Sequence, residues 1–160
     1  MNLYLDGAHT PESMKVCAEW YSTKITDINS SHTKTILVFN CAATKKPLPL
    51  LQTVSHIPFD HVFFTTTETG RSHLLEDKRL DRSPFKQNLS WQEHHQSCWN
   101  SLNPTQKNSE ICENLPKLLT KLKQFATTHP DHSVKVLVCG SLYLVGALLE
   151  ILYPDMSDNL

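Results

Sequence analysis

Glycine is scarce in this sequence: 4 of its 160 residues are glycine, too few for a glycine-rich phosphate loop. Neither G-x-x-x-x-G-K-[ST] nor G-x-G-x-x-G occurs, so the two common nucleotide-binding turns are excluded. No apolar run reaches the roughly 18 residues that a membrane-spanning helix needs. An excess of one charge is also lacking, because the formal net charge is −1 and the sequence pI is about 6.7. We therefore expect no nucleic-acid partner and no membrane span.

The five cysteines are odd in number and include no C-x-x-C pair, so neither a disulfide framework nor a zinc ribbon is predicted. Three of them lie in apolar stretches, where a free thiol packs as a small hydrophobic group. This cysteine usage is typical of a reducing compartment, and we expect a cytoplasmic or mitochondrial protein. His94 and Cys98 are four residues apart, but no second ligand pair has matching spacing. We therefore predict no metal site.

Two kinds of apolar segment alternate along the chain. Strand-like runs cover residues 2–5, 35–41, 59–67 and 134–139. Segments with helical spacing cover residues 11–23, 47–55, 90–103, 115–125 and 142–152. The spacing predicts one apolar face in the first of these helices and one in the third, formed by Met14, Cys17, Ala18 and Tyr21 and by Trp91, His95, Cys98 and Leu102, respectively. The run TILVFNC has no polar alternation, as expected of a strand that is buried on both faces of a parallel sheet. The pattern predicts an α/β fold, a mostly parallel sheet with helices on both faces.

We expect residues 1–160 to form a single domain. Residues 67–88, after the third predicted strand, are polar and charged without a clear period and are expected to form an insertion loop. Met1 is followed at once by an apolar strand, without a cap or a polar tail. That start is the one expected of a segment cut from a longer chain.

The stretch YLDGAHTPES joins the first predicted strand to the first helix, with Thr10 as the helix cap and Pro11 at the first helical position. Ligands of open parallel sheets collect beyond the carboxyl ends of the strands, where we expect Asp6 and His9. A carboxylate there can accept hydrogen bonds from the vicinal hydroxyls of a sugar, and a histidine can donate to a phosphate or a carboxylate. The alternative, equally open, is that Asp6 bonds its own turn and His9 caps loop carbonyl groups.

A second strand-to-helix junction contains Gly140 and Ser141. Exposed backbone N–H groups and the positive end of the helix dipole suit an anion such as a carboxylate, although an ordinary N-cap explains the pair as well. Asn40, at the end of the second predicted strand, points to the same edge, with a turn role equally open. Gly146, inside the last helix, is expected to permit close packing on the sheet.

Three stretches of the chain resemble one known family. They are YLDGAHTPES near the start, ILVFN in the second strand and VLVCGSLYLVGALLEIL near the end. Together they resemble the C-terminal domain of the folylpolyglutamate synthases, ATP-dependent ligases related to the Mur ligases of peptidoglycan synthesis. The family motifs D-G-A-H-[NT]-P and G-S-L-[YH]-L-V-G are matched in order, and the segment QEHHQSCWN looks like the eukaryotic branch.

The resemblance implies a Rossmann-like domain of the Mur ligase C-terminal type. It implies an enzyme that adds L-glutamate to the γ-carboxyl of tetrahydrofolate through an acyl phosphate formed with ATP and Mg²⁺. In such enzymes an N-terminal domain carries the P-loop and the metal ligands, and that domain is the partner implied here. By the same resemblance, Asp6 would contact the nucleotide ribose, His9 would lie at the junction of phosphate and glutamate, and Ser141 would bind the incoming glutamate.

The chain departs from the family after the second strand, where a Gly- and Asp-containing loop is common and this sequence reads CAATKKPLP. From that region, only Asn40 is transferred as a candidate site residue. The family also has a basic residue upstream of the D-G-A-H motif, and its equivalent would precede Met1. Two alternatives to this ligase are a Mur-type ligase for a peptidoglycan precursor and a non-catalytic truncated fragment. Gly7 argues against the first, because Mur motifs usually carry another residue after the aspartate.

Overall fold

The computed structural model describes residues 1–26, 32–70 and 88–154. Most of the predicted 67–88 loop, residues 71–87, lies outside these ranges. The strands are β1 Asn2–Leu5, β2 Thr33–Phe39, β3 His61–Thr65, β4 Ser109–Cys112 and β5 Ser133–Cys139. The helices are α1 Pro11–Ile25, α2 Pro47–Val54, α3 Ser90–Leu102, α4 Leu115–Thr128 and α5 Leu142–Leu152.

The five strands form one parallel sheet in the order β1-β5-β2-β3-β4. The chain crosses the sheet in one direction from β1 to β4 and then returns to insert β5 between β1 and β2. Right-handed crossovers place their helices on one face during the outward passage and on the other during the return. Accordingly, the buried residues of α1, α2 and α3 pack in one cluster, and those of α4 and α5 in another.

β2 lies in the middle of the sheet and is covered on both faces. Ile36 and Val38 belong to the cluster under α4 and α5, while Leu37 and Phe39 belong to the cluster under α1, α2 and α3. All four side chains are fully buried. This arrangement confirms the prediction drawn from the unbroken apolar run, because consecutive residues of a strand that is covered on both faces are all removed from water.

Capping residues fix the starts of the helices that lead out of the sheet. In α1, Thr10 Oγ1 accepts from Ser13 N at 3.2 Å, and Ser13 Oγ accepts from Thr10 N at 3.0 Å, which makes a capping box. Asn114 caps α4 by accepting from Lys117 N at 3.0 Å. The buried residues of α1 are those that the helical spacing predicts, namely Met14, Cys17, Ala18 and Tyr21.

The parallel α/β fold is confirmed, but three features differ from the expectations. The short strand β4 was not predicted, because its sequence SEIC has one β-branched residue and three partly exposed positions. Gln92 and Trp99 of α3 are buried although neither was assigned to its apolar face. The expectation for Gly146 is wrong: the residue is exposed, and an added Cβ would meet nothing within 4 Å.

Candidate functional site

The carboxyl ends of β1 and β5 are adjacent, and the chain leaves them on opposite faces of the sheet. After β1 it enters α1, and after β5 it enters α5, whose buried residues belong to different clusters. Strands whose connections diverge in this way leave a crevice beyond their carboxyl ends, where ligands of open α/β sheets bind. The crevice here is bordered by residues 6–10, by residues 140–142 and by the end of β2.

The three segments that border the crevice touch one another. Gly140 N donates to Ala8 O at 2.8 Å. Gly140 has a φ of +100°, and a Cβ there would lie 2.5 Å from Asn40 O. A Cβ on Gly7 would lie 2.1 Å from Leu142 Cδ2. Gly140 is therefore needed for close approach and for a backbone conformation that other residues rarely adopt, whereas the atoms near Gly7 belong to the exposed Leu142 side chain, which can move aside.

Asp6 both closes a turn and keeps part of its carboxylate available. Its backbone N donates to Val138 O at 3.0 Å, which extends the pairing of β1 and β5 by one residue. Its Oδ1 accepts from Ala8 N at 2.8 Å, an Asx turn. The turn role that the sequence left open is thus present. Oδ2 has no hydrogen-bond partner among the residues that the structure describes, and the residue is partly exposed.

His9 is held by its own loop through one ring nitrogen. Nδ1 lies 2.8 Å from Gly7 O. Because a carbonyl oxygen only accepts, Nδ1 must carry the proton in this contact, and the neutral ring keeps its lone pair on Nε2. The backbone N of His9 donates to Ser13 Oγ at 3.1 Å, so the cap of α1 also fixes the position of His9. The ring is partly exposed, with Nε2 free of any partner in the described ranges.

Ser141 is the N-cap of α5. Its Oγ accepts a hydrogen bond from Tyr143 N at 3.1 Å, so the N-cap role that the sequence left open is present in the structure. A hydroxyl that accepts one bond can still donate its proton to a second group, so capping and ligand binding are compatible. Ser141 is only 4 % exposed, whereas Leu142 and Tyr143 beside it are 63 % and 80 % exposed. These two apolar side chains at the mouth of the crevice were not predicted.

The end of β2 is held by α3. Gln92 Nε2 donates to Asn40 Oδ1 at 3.2 Å, and Trp91 Nε1 donates to Cys41 O at 2.7 Å. His95 Nε2 lies 3.4 Å from Cys41 Sγ. Helical spacing placed Trp91 and His95 on the buried face of α3, but it cannot identify partners that are 50 and 54 residues away in the sequence.

The contact of Cys41 with His95 is a neutral one. Burial lowers the pKa of His95 to about 4, with a smaller contribution from His94. Burial raises the pKa of the Cys41 thiol to about 12; Cys98 adds to the effect and Lys45 opposes it. Both groups are therefore uncharged near pH 7. A nucleophilic cysteine needs a lowered thiol pKa, so this pair is structural.

The remaining features do not define a second centre in the described ranges. His94 Nε2 lies 3.9 Å from Cys98 Sγ, and within residues 1–26, 32–70 and 88–154 no three His, Cys, Asp or Glu side chains are grouped so that they could hold a metal ion. Two surface hollows of about 340 and 330 Å³ lie on α4 and at the turn after α3, and neither is lined by Asp6, His9 or Ser141. No helix of the described part of the chain is long and apolar enough to cross a bilayer.

Comparison with known proteins points to one family. The profile described as dihydrofolate synthetase, C-terminal domain, matches residues 1–151. A folylpolyglutamate synthase of Arabidopsis thaliana is 30% identical over 189 aligned residues, which cover 93% of this chain and 33% of that protein. A putative folylpolyglutamate synthase of Caenorhabditis elegans is 27% identical, with coverage of 92% and 29%. The chain thus spans about a third of the length of these curated relatives.

Two solved structures share the fold. The folylpolyglutamate synthase of Mycobacterium tuberculosis, complexed with ADP and AMPPCP, aligns with a TM-score of 0.63 at 19% identity and covers 94% of this chain and 29% of that one. The folylpolyglutamate synthase of Thermotoga maritima aligns with a TM-score of 0.53 at 21% identity, with coverage of 94% and 27%.

Proposed function

The chain belongs to the dihydrofolate synthetase C-terminal domain family, and from that membership we propose that it is the C-terminal part of an ATP-dependent ligase. The proposed reaction adds L-glutamate to the γ-carboxyl of tetrahydrofolate, because the relatives are named folylpolyglutamate synthases. One observation carries the proposal: the D-G-A-H and G-S-L-Y loops meet at one crevice, where Gly140 N donates to Ala8 O at 2.8 Å.

The proposed reaction has two steps. The γ-carboxylate of the folate takes the terminal phosphoryl group of ATP, which gives an acyl phosphate and ADP. The amino group of L-glutamate then attacks the acyl carbon, the amide forms, and inorganic phosphate leaves. A domain that borders one side of the crevice contributes by orienting the nucleotide and the incoming amino acid.

Asp6 is proposed to bind the ribose of the nucleotide. Its Oδ1 is used by the turn, and its Oδ2 has no partner in the described ranges. A carboxylate oxygen in that state accepts hydrogen bonds from vicinal hydroxyls, which is the chemistry of ribose recognition. The turn bond supports this role, because it fixes the direction of the carboxylate before the ligand arrives.

His9 is proposed as the catalytic residue of this domain and as a contact for glutamate. The amino group of glutamate must lose protons as it attacks the acyl phosphate. The hydrogen bond of Nδ1 with Gly7 O leaves the lone pair of the neutral ring on Nε2, the atom that would take such a proton. Ser141 is proposed to donate its hydroxyl proton to a glutamate carboxylate while its oxygen caps α5.

ATP is proposed as co-substrate because the Mycobacterium tuberculosis protein was solved with ADP and AMPPCP. Mg²⁺ would neutralise charge on the phosphates. Its ligands are proposed to lie on an N-terminal P-loop domain, the partner of this domain, as the resemblance to the folylpolyglutamate synthases implies.

The experiment uses the native polypeptide that carries this chain, supplied with ATP, Mg²⁺ and L-glutamate and with either tetrahydrofolate or a UDP-linked peptidoglycan precursor. We expect ATP-dependent product with tetrahydrofolate only. Product with the precursor alone would identify a Mur-type ligase, and no product with either would identify a non-catalytic fragment.

A matched pair of variants tests the role of Asp6. Asp6→Asn should raise the KM for ATP about 10- to 100-fold, the loss of one charged hydrogen bond. Asp131→Asn, on the exposed turn between α4 and β5, should leave it unchanged. Equal KM values for Asp6→Asn and the wild type would remove Asp6 from the nucleotide site.

A further inference from the structure

Asn40 is the first residue after β2 and is nine-tenths buried, with 9 % of its surface exposed. Its backbone N lies 3.4 Å from Cys139 O, and its carbonyl oxygen lies against Gly140. The side-chain Oδ1 is 3.2 Å from Gln92 Nε2. Asn40 thus connects the crevice with α3.

The orientation of the Asn40 carboxamide follows from the partners of Gln92. Gln92 Nε2 also lies 3.3 Å from the backbone oxygen of Thr65. A backbone carbonyl can only accept, so the Gln92 atom that faces it must be the NH₂ group. The Asn40 atom that faces this same NH₂ group must then be the acceptor, Oδ1. The Nδ2 group of Asn40 is directed away from Gln92 as a consequence.

The two N–H donors of Asn40 Nδ2 have no acceptor among the residues that the structure describes. Within those residues, the fully buried side-chain polar atoms that lack a partner belong to His61, His95, Trp99 and Asn108. Asn40 Nδ2 is not one of them, so solvent reaches it. The donor group of a residue that is nine-tenths buried is therefore accessible, and the residue lies at the edge where β2 meets the loop after β5.

α3 keeps this donor in place. Trp91 Nε1 donates to Cys41 O at 2.7 Å, one residue beyond Asn40. His95, packed edge to face on Phe39, contacts the Cys41 thiol at 3.4 Å. Consecutive turns of α3 thus contact the Asn40 carboxamide and both of its neighbours in the chain, Phe39 and Cys41. A donor that is fixed in advance loses little conformational entropy when a ligand binds.

We infer that Asn40 donates from Nδ2 to an anionic oxygen of the ligand bound in the crevice, and that Gln92 is the positioning residue that sets its carboxamide. The ligand chemistry is a phosphate or carboxylate oxygen, because two adjacent N–H donors without an acceptor partner suit such groups. The identity of that ligand, nucleotide or L-glutamate, rests on the proposed function. The assignment of Asn40 as a donor does not.

Three variants of the native polypeptide separate the roles. Asn40→Asp keeps the oxygen that faces Gln92 but replaces the donor by a carboxylate. Gln92→Glu leaves Asn40 intact but presents it with a carboxylate, so the Asn40 amide must turn and direct Oδ1 into the crevice. Gln96→Glu is the matched control, the same change one turn along α3, where Gln96 Nε2 donates to Ser109 O at 2.9 Å outside the crevice.

Affinity for ADP and the KM for L-glutamate are measured separately, and the side-chain amide signals of Asn40 are followed by ¹⁵N NMR during titration with each. We expect Asn40→Asp to weaken one of the two ligands about 10- to 100-fold. Gln92→Glu should weaken the same ligand at least about fivefold, and Gln96→Glu should leave both within about twofold. The Asn40 amide signals should move with that ligand.

The outcomes distinguish this inference from the proposed function. Turnover with tetrahydrofolate together with unchanged binding in Asn40→Asp overturns the inference and leaves the function standing. Asn40 amide signals that move with ADP or L-glutamate, without turnover on tetrahydrofolate, support the inference and overturn the function. Amide signals that respond to neither probe overturn the inference whatever the turnover. A Gln92→Glu variant that binds like the wild type removes the positioning role.

Discussion

Replacement of Gly140 by alanine tests whether close approach at the crevice depends on the missing side chain. The φ of Gly140 is +100°, and an added Cβ would lie 2.5 Å from Asn40 O, 2.6 Å from Phe39 Cε2 and 2.9 Å from Phe39 Cδ2. The first of these atoms is backbone and the other two belong to a fully buried ring, so none can move aside freely. Gly140→Ala must therefore strain the backbone or displace the end of β2.

The expected cost combines two effects. Holding a residue other than glycine at such a φ costs about 1–3 kcal/mol. Forcing an additional carbon into a packed region costs about 1–3 kcal/mol more. We expect Gly140→Ala to lower the free energy of unfolding by about 2–6 kcal/mol, equivalent to a Tm lower by roughly 4–24 °C for a domain of this size.

Two of the other glycines give controls for the same chemical change. Gly7→Ala would place a Cβ 2.1 Å from Leu142 Cδ2, but that side chain is 63 % exposed and can rotate outward, so the cost should stay below about 1 kcal/mol. Gly146→Ala meets nothing within 4 Å on an exposed helix position and should stabilise by about 0.5–1 kcal/mol. Urea denaturation of the three variants measures the order. A Gly140→Ala variant as stable as the wild type, or no more destabilised than Gly7→Ala, would refute the packing argument.

Three further predictions concern single groups. His95 has a pKa of about 4 in the folded state and about 6.5 in the unfolded state, so the unfolded state binds more protons between these pH values. The free energy of unfolding should therefore fall by about 2 kcal/mol from pH 7 to pH 5. Urea titrations at the two pH values should show a smaller fall for His95→Phe. Ser141→Ala should lower the free energy of unfolding by about 0.5–2 kcal/mol because the cap of α5 is lost, whereas Ser141→Asn should restore it. Thermal denaturation measures the difference, and equal stability of the two variants would exclude the capping role. Tyr21→Phe removes the hydrogen bond from Tyr21 Oη to Lys135 O at 2.9 Å and should lower the free energy of unfolding by about 0.5–1.5 kcal/mol, as measured by urea denaturation. An unchanged free energy of unfolding would show that the hydroxyl is dispensable.

Local patterns in the sequence predict most of the elements and the edge of the sheet where the candidate site lies. Asp6, His9 and Ser141 follow two predicted strands, and the carboxyl ends of parallel strands share one edge whatever their order. The insertion of β5 between β1 and β2 was not predicted, because strand order depends on contacts far apart in the sequence.

Long-range side-chain pairing limits the prediction of the site. Helical spacing cannot show that Gln92 meets Asn40, 52 residues away, or that His95 meets Cys41. Nor can it show whether a helix glycine faces the sheet, as the wrong expectation for Gly146 demonstrates. Motifs indicate where the polar groups gather, and the three-dimensional contacts decide which of their atoms remain available.

The proposed ligase activity and the catalytic role of His9 are tested together by the rate of ATP-dependent addition of radiolabelled L-glutamate to tetrahydrofolate, measured for the native polypeptide and its His9→Ala variant. The matched control is His132→Ala, a partly buried histidine just before β5 at the opposite end of the sheet. We expect kcat to fall about 10²- to 10⁴-fold in His9→Ala and to stay within about twofold in His132→Ala. Normal turnover of His9→Ala, with the wild type active, would contradict it.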